Sequence, residues 1–242
     1  MVVGGSSGVG KATVLALLSE GVHVTAVARG ADGLRALEAS APDGRLATLR
    51  GDAADPALAE RLVRDIRPDI AVLALGVTPR MGDVDTLDWE SFSETWNVDL
   101  RASFHFTQHA LALPLAPGSN VIFLSSGAAL GGSPLSGGYA GAKRMQWWLA
   151  AYAQKVSDAR RLGIRTLAVL PKQLIEGTAI GVHAATFYGK LNGTGPEAFM
   201  QRYDVPLDCT KVAAAIVTAL GGGVPAGVNA IAVSGTGIEP LT

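Results

Sequence analysis

The chain has 242 residues, 48% of them hydrophobic and 17% charged, enough apolar material for one α/β domain with a large core. A formal net charge of −1 argues against a binder of nucleic-acid backbones, which carries a basic surplus. Cys209 is the single cysteine, so no internal disulfide forms; no apolar run reaches a membrane span, and no signal-peptide pattern opens the sequence, so a cytoplasmic protein without membrane contact is expected.

The opening "MVVGGSSGVGK" begins with three residues suited to a strand. Gly4, Gly8 and Gly10 follow, ahead of a helical segment near 9–20. That placement aims backbone N–H groups and a positive helix end at an anion, and glycine lets a phosphate approach without meeting a Cβ. A second strand, Val22–Ala28, ends in Ala26-Val27-Ala28-Arg29. A carboxylate at such a strand end would bond a ribose hydroxyl, whereas the guanidinium of Arg29 attracts a 2′-phosphate, so NADP is expected rather than NAD. The alternative for Arg29 is an ordinary solvated charge.

Further along, helices near 31–40, 55–66, 86–112, 137–161 and 208–219 alternate with strands Arg45–Arg50, Asp69–Leu75, Val121–Ser125, Ile164–Leu170 and Val228–Val233. Continuous apolar strands separated by helices predict an α/β fold: a Rossmann-like, doubly wound parallel sheet of about seven strands with helices on both faces. No linker or repeat divides residues 1–242, so one domain is expected. The segment from Pro171 to Pro206 has no clean period and carries Phe187, Tyr188, Phe199 and Tyr203 among glycines. It reads as a lid over an apolar substrate or as a surface excursion.

In "FLSSGAALGGSPLSGGYAGAKRMQWWLAAY", Tyr139 and Lys143 lie four apart on one helix face. An ammonium beside a phenol favours the phenolate, which suits a tyrosine to exchange a proton with a carbonyl or alcohol oxygen. Ser126, at a strand end, can offer a hydroxyl to the same oxygen, or serve as a turn cap. On the same helix Met145, Trp148, Leu149, Tyr152 and Val156 follow a helical spacing expected to pack on the sheet, while Trp147 suits the floor of the site or a second subunit. His23, His105, His109 and His183 are scattered, so no metal is expected.

These residues resemble the short-chain dehydrogenase/reductase family over essentially the whole chain. "VGGSSGVG" is similar to that family's T-G-x-x-x-G-x-G turn, which implies cofactor contacts from Gly4, Ser6, Ser7, Gly8, Val9 and Gly10, with Val3 where threonine is usual. Asp52 and Ala53 stand where the family meets the adenine. "DWESFSETWNVDL" resembles its fourth helix and places Asn97 at the helix-bending asparagine, whose backbone holds a water linking the lysine to solvent. The resemblance thus implies a catalytic set of Asn97, Ser126, Tyr139 and Lys143, with Tyr139 and Lys143 also on the cofactor. Leu73-Ala74-Leu75-Gly76 keeps only the final glycine of N-N-A-G, and Gly76 is implied in cofactor binding. Pro171-Lys172 replaces the usual P-G, the backbone clasp on the nicotinamide falls near Leu174, and the accompanying threonine falls at Glu176 or Thr178. Lys172 is expected to meet a phosphate or acidic group, or solvent.

The resemblance implies an NADP-dependent oxidoreductase that reduces a ketone or aldehyde, or oxidises a secondary alcohol, and forms a homodimer or homotetramer. A non-catalytic NADP-binding sensor or scaffold is the second reading; a sugar-nucleotide epimerase needs a longer chain. The first strand lies centrally in such sheets, so at most four residues, paired on both sides, are expected at the start.

Overall fold

The computed structural model describes residues 1–41 and 44–241. One eight-stranded sheet runs through it in the order β3-β2-β1-β4-β5-β6-β9-β10. The strands are β1 (Val2–Val3), β2 (Val24–Ala28), β3 (Leu46–Arg50), β4 (Ile70–Leu73), β5 (Asn120–Leu124), β6 (Arg165–Pro171), β9 (Ala230–Ser234) and β10 (Gly237–Leu241). All pair in parallel except β10, which turns back antiparallel on β9. That eighth strand escapes the sequence pattern because it is an edge: Glu239 and Pro240 are exposed, and an edge strand tolerates both.

Alternation along the strands divides the core in two. Val3, Leu73, Phe123 and Leu170 face one side, where α3 (Pro56–Ile66), α5 (Arg101–Ala112) and α7 (Tyr139–Arg160) supply Leu62, Phe106 and Ala150. Val2, Val72, Ile122 and Val169 face the other, against Val14, Leu37 and Ile216 of α1 (Gly8–Ser19), α2 (Ala31–Ser40) and α10 (Cys209–Leu220). The result is the expected doubly wound, Rossmann-like fold, with the strand order reversing at β1.

β1 has two residues, within the expected limit, and pairs with β2 and β4. The ladder nevertheless runs past it: Val72 N–H donates to the Met1 carbonyl (2.9 Å), Ala74 N–H to Val3 (2.8 Å), and Gly4 N–H to Val27 (2.8 Å). The Met1 amine itself donates to the Ile70 carbonyl at 2.7 Å. Burial disfavours its charged form and lowers its pKa from 8.0 to about 6, with nearby Asp69 acting the other way. Between those values the unfolded chain binds more protons than the folded one. Stability is therefore expected to rise from pH about 6 to about 8, by an order of 2 to 3 kcal/mol. Denaturant midpoints across that range test this. A chain extended upstream of Met1, with a peptide N–H in place of the amine, is expected to lose the slope.

The predicted helix over 86–112 is three pieces in line: α4 (Trp89–Thr95), one π-helical turn (Trp96–Leu100) and α5. Asp88 caps it, its carboxylate accepting from Ser91 N–H at 2.7 Å, which holds that carboxyl below its ordinary range. The aperiodic segment also folds: β7 (Ile175–Glu176) pairs with β8 (Leu207–Asp208) in a separate two-stranded sheet, and α8 (Ala179–Leu191) and α9 (Pro196–Met200) lie between them.

One expectation for α7 holds only in part: Leu149 packs against the core, but the two aromatics do not. Trp148 and Tyr152 are exposed, and the inward row is Ala142, Gln146, Ala150, Ala153 and Ser157. Small side chains in that row let the helix axis approach the sheet closely, which turns the large aromatics outward. Trp147 is half-buried against the core beneath α7, with the Arg144 guanidinium 4.1 Å from its ring centre.

Candidate active site

A cavity of about 720 Å³ opens at the carboxyl ends of the strands, where the strand order reverses. Gly4, Ser6, Ser7, Gly8 and Val9 line it from the turn between β1 and α1. Gly4 has φ +84°, and a Cβ there would stand 2.5 Å from the Ala74 carbonyl oxygen. Gly10 does not line the cavity; a Cβ on it would collide with the Gly4 carbonyl, so its part is to let α1 close on the turn. No side chain caps α1 at Ser7. Its first N–H groups are thus left without a side-chain acceptor beside the cavity, as an anion site requires.

Arg29, Asp52 and Ala53 line the same cavity from the ends of β2 and β3, Gly76 from the end of β4, and Leu174 from the segment after β6. Of the two positions considered for the threonine, Thr178 lines the cavity and caps α8, accepting from Gly181 N–H at 3.0 Å. Glu176 lies exposed in β7. Lys172 lines the cavity too, but its ammonium is paired with Glu239 of β10 at 3.0 Å.

Ser126, Tyr139 and Lys143 meet at this cavity. Ser126 follows β5 and its Oγ accepts from Ala128 N–H at 3.2 Å, so the hydroxyl also braces the turn into α6 (Ala128–Gly131). Tyr139 opens α7. Lys143, one turn later, is buried with its Nζ 5.6 Å from the centre of the Tyr139 ring. Nζ donates to the carbonyls of Leu75 (2.9 Å) and Leu124 (3.3 Å), and lies 3.2 Å from Oδ2 of Asp99. Ser125 Oγ donates to the Lys143 carbonyl at 2.7 Å and anchors this part of α7 to β5. The degenerate Leu73-Ala74-Leu75-Gly76 therefore still serves through a backbone carbonyl, which needs no particular side chain.

Asn97 is not brought to the cavity. It lies in the π-helical turn, its side-chain amide donating to Ser93 Oγ at 3.2 Å. The residue of that turn that reaches Lys143 is Asp99, two positions on, which sequence reasoning missed. Its signal was there to read: Asp99, Ser103, Phe106 and Ala110 form the buried row of this helix, and a carboxylate in such a row needs a partner.

The segment 171–206 forms one wall of the cavity. Tyr188 Oη, Phe199, Tyr203, His183 and Arg202 all border the cavity. The Tyr188 hydroxyl bonds Ser133 Oγ at 2.5 Å and accepts from Leu135 N–H at 3.3 Å, which ties α8 to the loop between α6 and α7. The Tyr188 and Phe199 rings stack, centres 6.0 Å apart. Phe187 faces His183 instead, at 5.0 Å. Among the described residues no cluster of three or more His, Cys, Asp or Glu could hold a metal ion, and no helix is long and apolar enough to cross a membrane.

A family model described as short chain dehydrogenase matches residues 1–179. Short chain dehydrogenase/reductase AacuD of Aspergillus aculeatus is 30% identical over 170 residues, which span 67% of this chain and 60% of that protein. The uncharacterised oxidoreductase YghA of Escherichia coli K12 is 29% identical over 227 residues, 88% of this chain and 74% of that one. The crystal structure of levodione reductase superposes with a TM-score of 0.83 at 24% identity, over 96% of this chain and 94% of that chain. The glycine turn, the strand order and the matched 179 residues place this chain in the short-chain dehydrogenases, a family of oxidoreductases acting on CH–OH and carbonyl groups.

Proposed function

We propose that the chain is an NADP-dependent oxidoreductase that reduces a ketone or aldehyde, or oxidises a secondary alcohol, with Ser126, Tyr139 and Lys143 as its working residues. The observation that carries this reading is their meeting in one cavity with the glycine turn and Arg29. The residues fit a dinucleotide: the turn is shaped by glycines whose Cβ atoms would strike backbone, and the α1 N-terminus has no side-chain cap. Bound there, the cofactor supplies the hydride.

The chain's own residues handle the oxygen and its proton. In reduction, Tyr139 Oη donates a proton to the carbonyl oxygen as negative charge develops on it, and Ser126 Oγ donates a hydrogen bond to the same atom. Lys143 holds a positive charge behind the tyrosine. In oxidation Tyr139 takes the alcohol proton. The segment 171–206 serves as the lid, with Tyr188, Phe199 and Tyr203 giving a moderately apolar wall. The 242 residues work as one domain in the cytoplasm. Assembly as a homodimer or homotetramer is supported by exposed Trp89, Trp96, Phe104, Trp148 and Tyr152 on α4, the π-helical turn, α5 and α7.

Incubation with NADPH and a panel of ketones, read by loss of reduced cofactor, tests the proposal. Consumption matched by alcohol formation is expected; tight NADPH binding without turnover on any substrate would favour a sensor or scaffold. The cofactor choice has its own test. Arg29→Ser is expected to weaken NADPH about tenfold and leave NADH within about twofold, since only the first carries the 2′-phosphate. Equal losses for both would assign Arg29 to folding.

A further inference from the structure

We propose that the substrate is a carbonyl compound with an apolar body and one carboxylate, and that Arg202 is the residue that binds the carboxylate. The carbonyl rests on the oxidoreductase reading of this same site; the carboxylate site itself does not.

The cations around the cavity differ in what already faces them. Lys143 lies 3.2 Å from a carboxylate oxygen of Asp99, and Lys172 lies 3.0 Å from one of Glu239, so each has an anionic partner. Arg29, just past β2, is assigned above to the 2′-phosphate of the cofactor. Arg202, which lines the cavity after α9, stands apart. Among the described residues no carboxylate lies within ion-pair distance of it, although Glu197 and Asp204 are near in sequence. The carboxylates that line the cavity are Asp52, past β3, and Asp99, which Lys143 already faces. The wall built by the segment 171–206 thus carries an uncompensated positive charge, in a chain whose net charge is −1.

Aromatic contacts hold that charge in place. The guanidinium carbon lies 3.6 Å from the centre of the Phe199 ring and 4.6 Å from that of Tyr203, contacts that fix a cation without neutralising it. Nη1 donates to the Phe199 carbonyl at 3.1 Å, and Nη2 to the Tyr203 hydroxyl at 2.6 Å. A guanidinium has five N–H donors in one plane, so most of them stay available to a ligand. Phe199 stacks in turn on Tyr188, whose hydroxyl is engaged by Ser133 Oγ and Leu135 N–H. The charged group that this wall offers a ligand is therefore the guanidinium.

The chemistry of the wall narrows the ligand. Parallel N–H groups match the two oxygens of a carboxylate. One uncompensated positive charge suits one negative charge, whereas a phosphate monoester brings nearly two. The rings of Tyr188, Phe199 and Tyr203 suit an apolar body between the acid and the carbonyl. Arg202 is exposed, so solvent and salt screen it. The gain expected is then the low end for a hydrogen bond to a charged group, about tenfold.

Para-acetylbenzoate, benzoylpropionate and benzoylbutyrate set a carboxylate at growing distances from an aryl ketone, and each has a neutral methyl ester. With NADPH saturating, at least one acid is expected to exceed its ester about tenfold in kcat/KM, chiefly through a lower KM. Arg202→Gln is expected to lower that acid about tenfold and leave its ester, and NADPH affinity, within about twofold. Arg202→Glu is expected to put the ester ahead. Three acids no better than their esters would overturn the proposal. So would an equal loss for acid and ester in Arg202→Gln, which gives Arg202 to the packing of the wall, or a large loss of NADPH affinity, which gives it to the cofactor. If neither series is reduced, calorimetry with the same acids and esters on the NADPH-loaded chain decides. Acid binding that exceeds ester binding and is lost in Arg202→Gln keeps the carboxylate site and rejects the oxidoreductase reading; equal binding rejects the site.

Discussion

Tyr139→Phe is expected to lower carbonyl reduction by about 10²- to 10⁴-fold, the range that a positioned proton donor contributes, with NADPH affinity changed by less than about threefold. The substitution removes one oxygen from the cavity wall and leaves the ring that packs at the start of α7. Lys143 keeps its contacts with the Leu75 and Leu124 carbonyls and with Asp99, since none involves the phenol. Steady-state rates alongside NADPH binding by fluorescence separate the two effects. Loss of both together would mean that Tyr139 holds the cavity in shape; near-normal reduction across the substrates that the parent accepts would remove it from the chemistry. Ser126→Ala makes a useful contrast, because Ser126 Oγ also accepts from Ala128 N–H and its loss relaxes the local turn.

Gly4→Ala is expected to cost about 2 to 4 kcal/mol of stability and to weaken NADPH more than about tenfold. Two penalties coincide at this position. Its φ of +84° strains any L side chain, and a Cβ would lie 2.5 Å from the Ala74 oxygen and 2.9 Å from its carbon. Neither neighbour can yield cheaply, because Ala74 N–H is bonded to Val3 and Gly4 N–H to Val27, in the middle of the sheet. Gly221→Ala is the matched control: at φ −77° past α10, its nearest contact is an ordinary 3.5 Å, and a change within about 0.5 kcal/mol is expected. Denaturant midpoints for the two variants measure the difference. Similar values would show that the turn adjusts where the sheet does not hold it.

What the sequence made legible follows from which residues carry a pattern. Strands such as Val121–Phe123 announce themselves because both faces of a central parallel strand are buried, leaving an unbroken apolar run. Two helices are harder to read because their buried faces are built of small residues. In α8 the inward positions are Gly181, Ala185 and Gly189, which give no apolar stripe, so the segment looks aperiodic although it folds. In α7 the same chemistry misleads in the other direction, and the conspicuous Trp148 and Tyr152 point outward.

The site divides in a similar way. Gly4, Ser126, Tyr139 and Lys143 were legible because a fixed spacing, on a turn or within one helix, fixes their relation. The π-helical turn at Trp96–Leu100 was not, since one extra residue in a helical turn leaves no compositional trace. In this turn the Asp99 side chain arrives at Lys143, while that of Asn97 bonds Ser93. The ion pair between Lys172 and Glu239 was equally hidden, because 67 residues separate partners that only the antiparallel return of β10 brings together.

The most direct measurement is transfer of label from NADPH carrying deuterium at both positions of the reactive nicotinamide carbon to a ketone that the chain consumes. The account predicts one deuterium on the carbinol carbon of the product for each cofactor oxidised, formed about 10²- to 10⁴-fold more slowly by Tyr139→Phe. Product without label, or NADPH bound with 1:1 stoichiometry and never oxidised in the presence of any ketone, would contradict it.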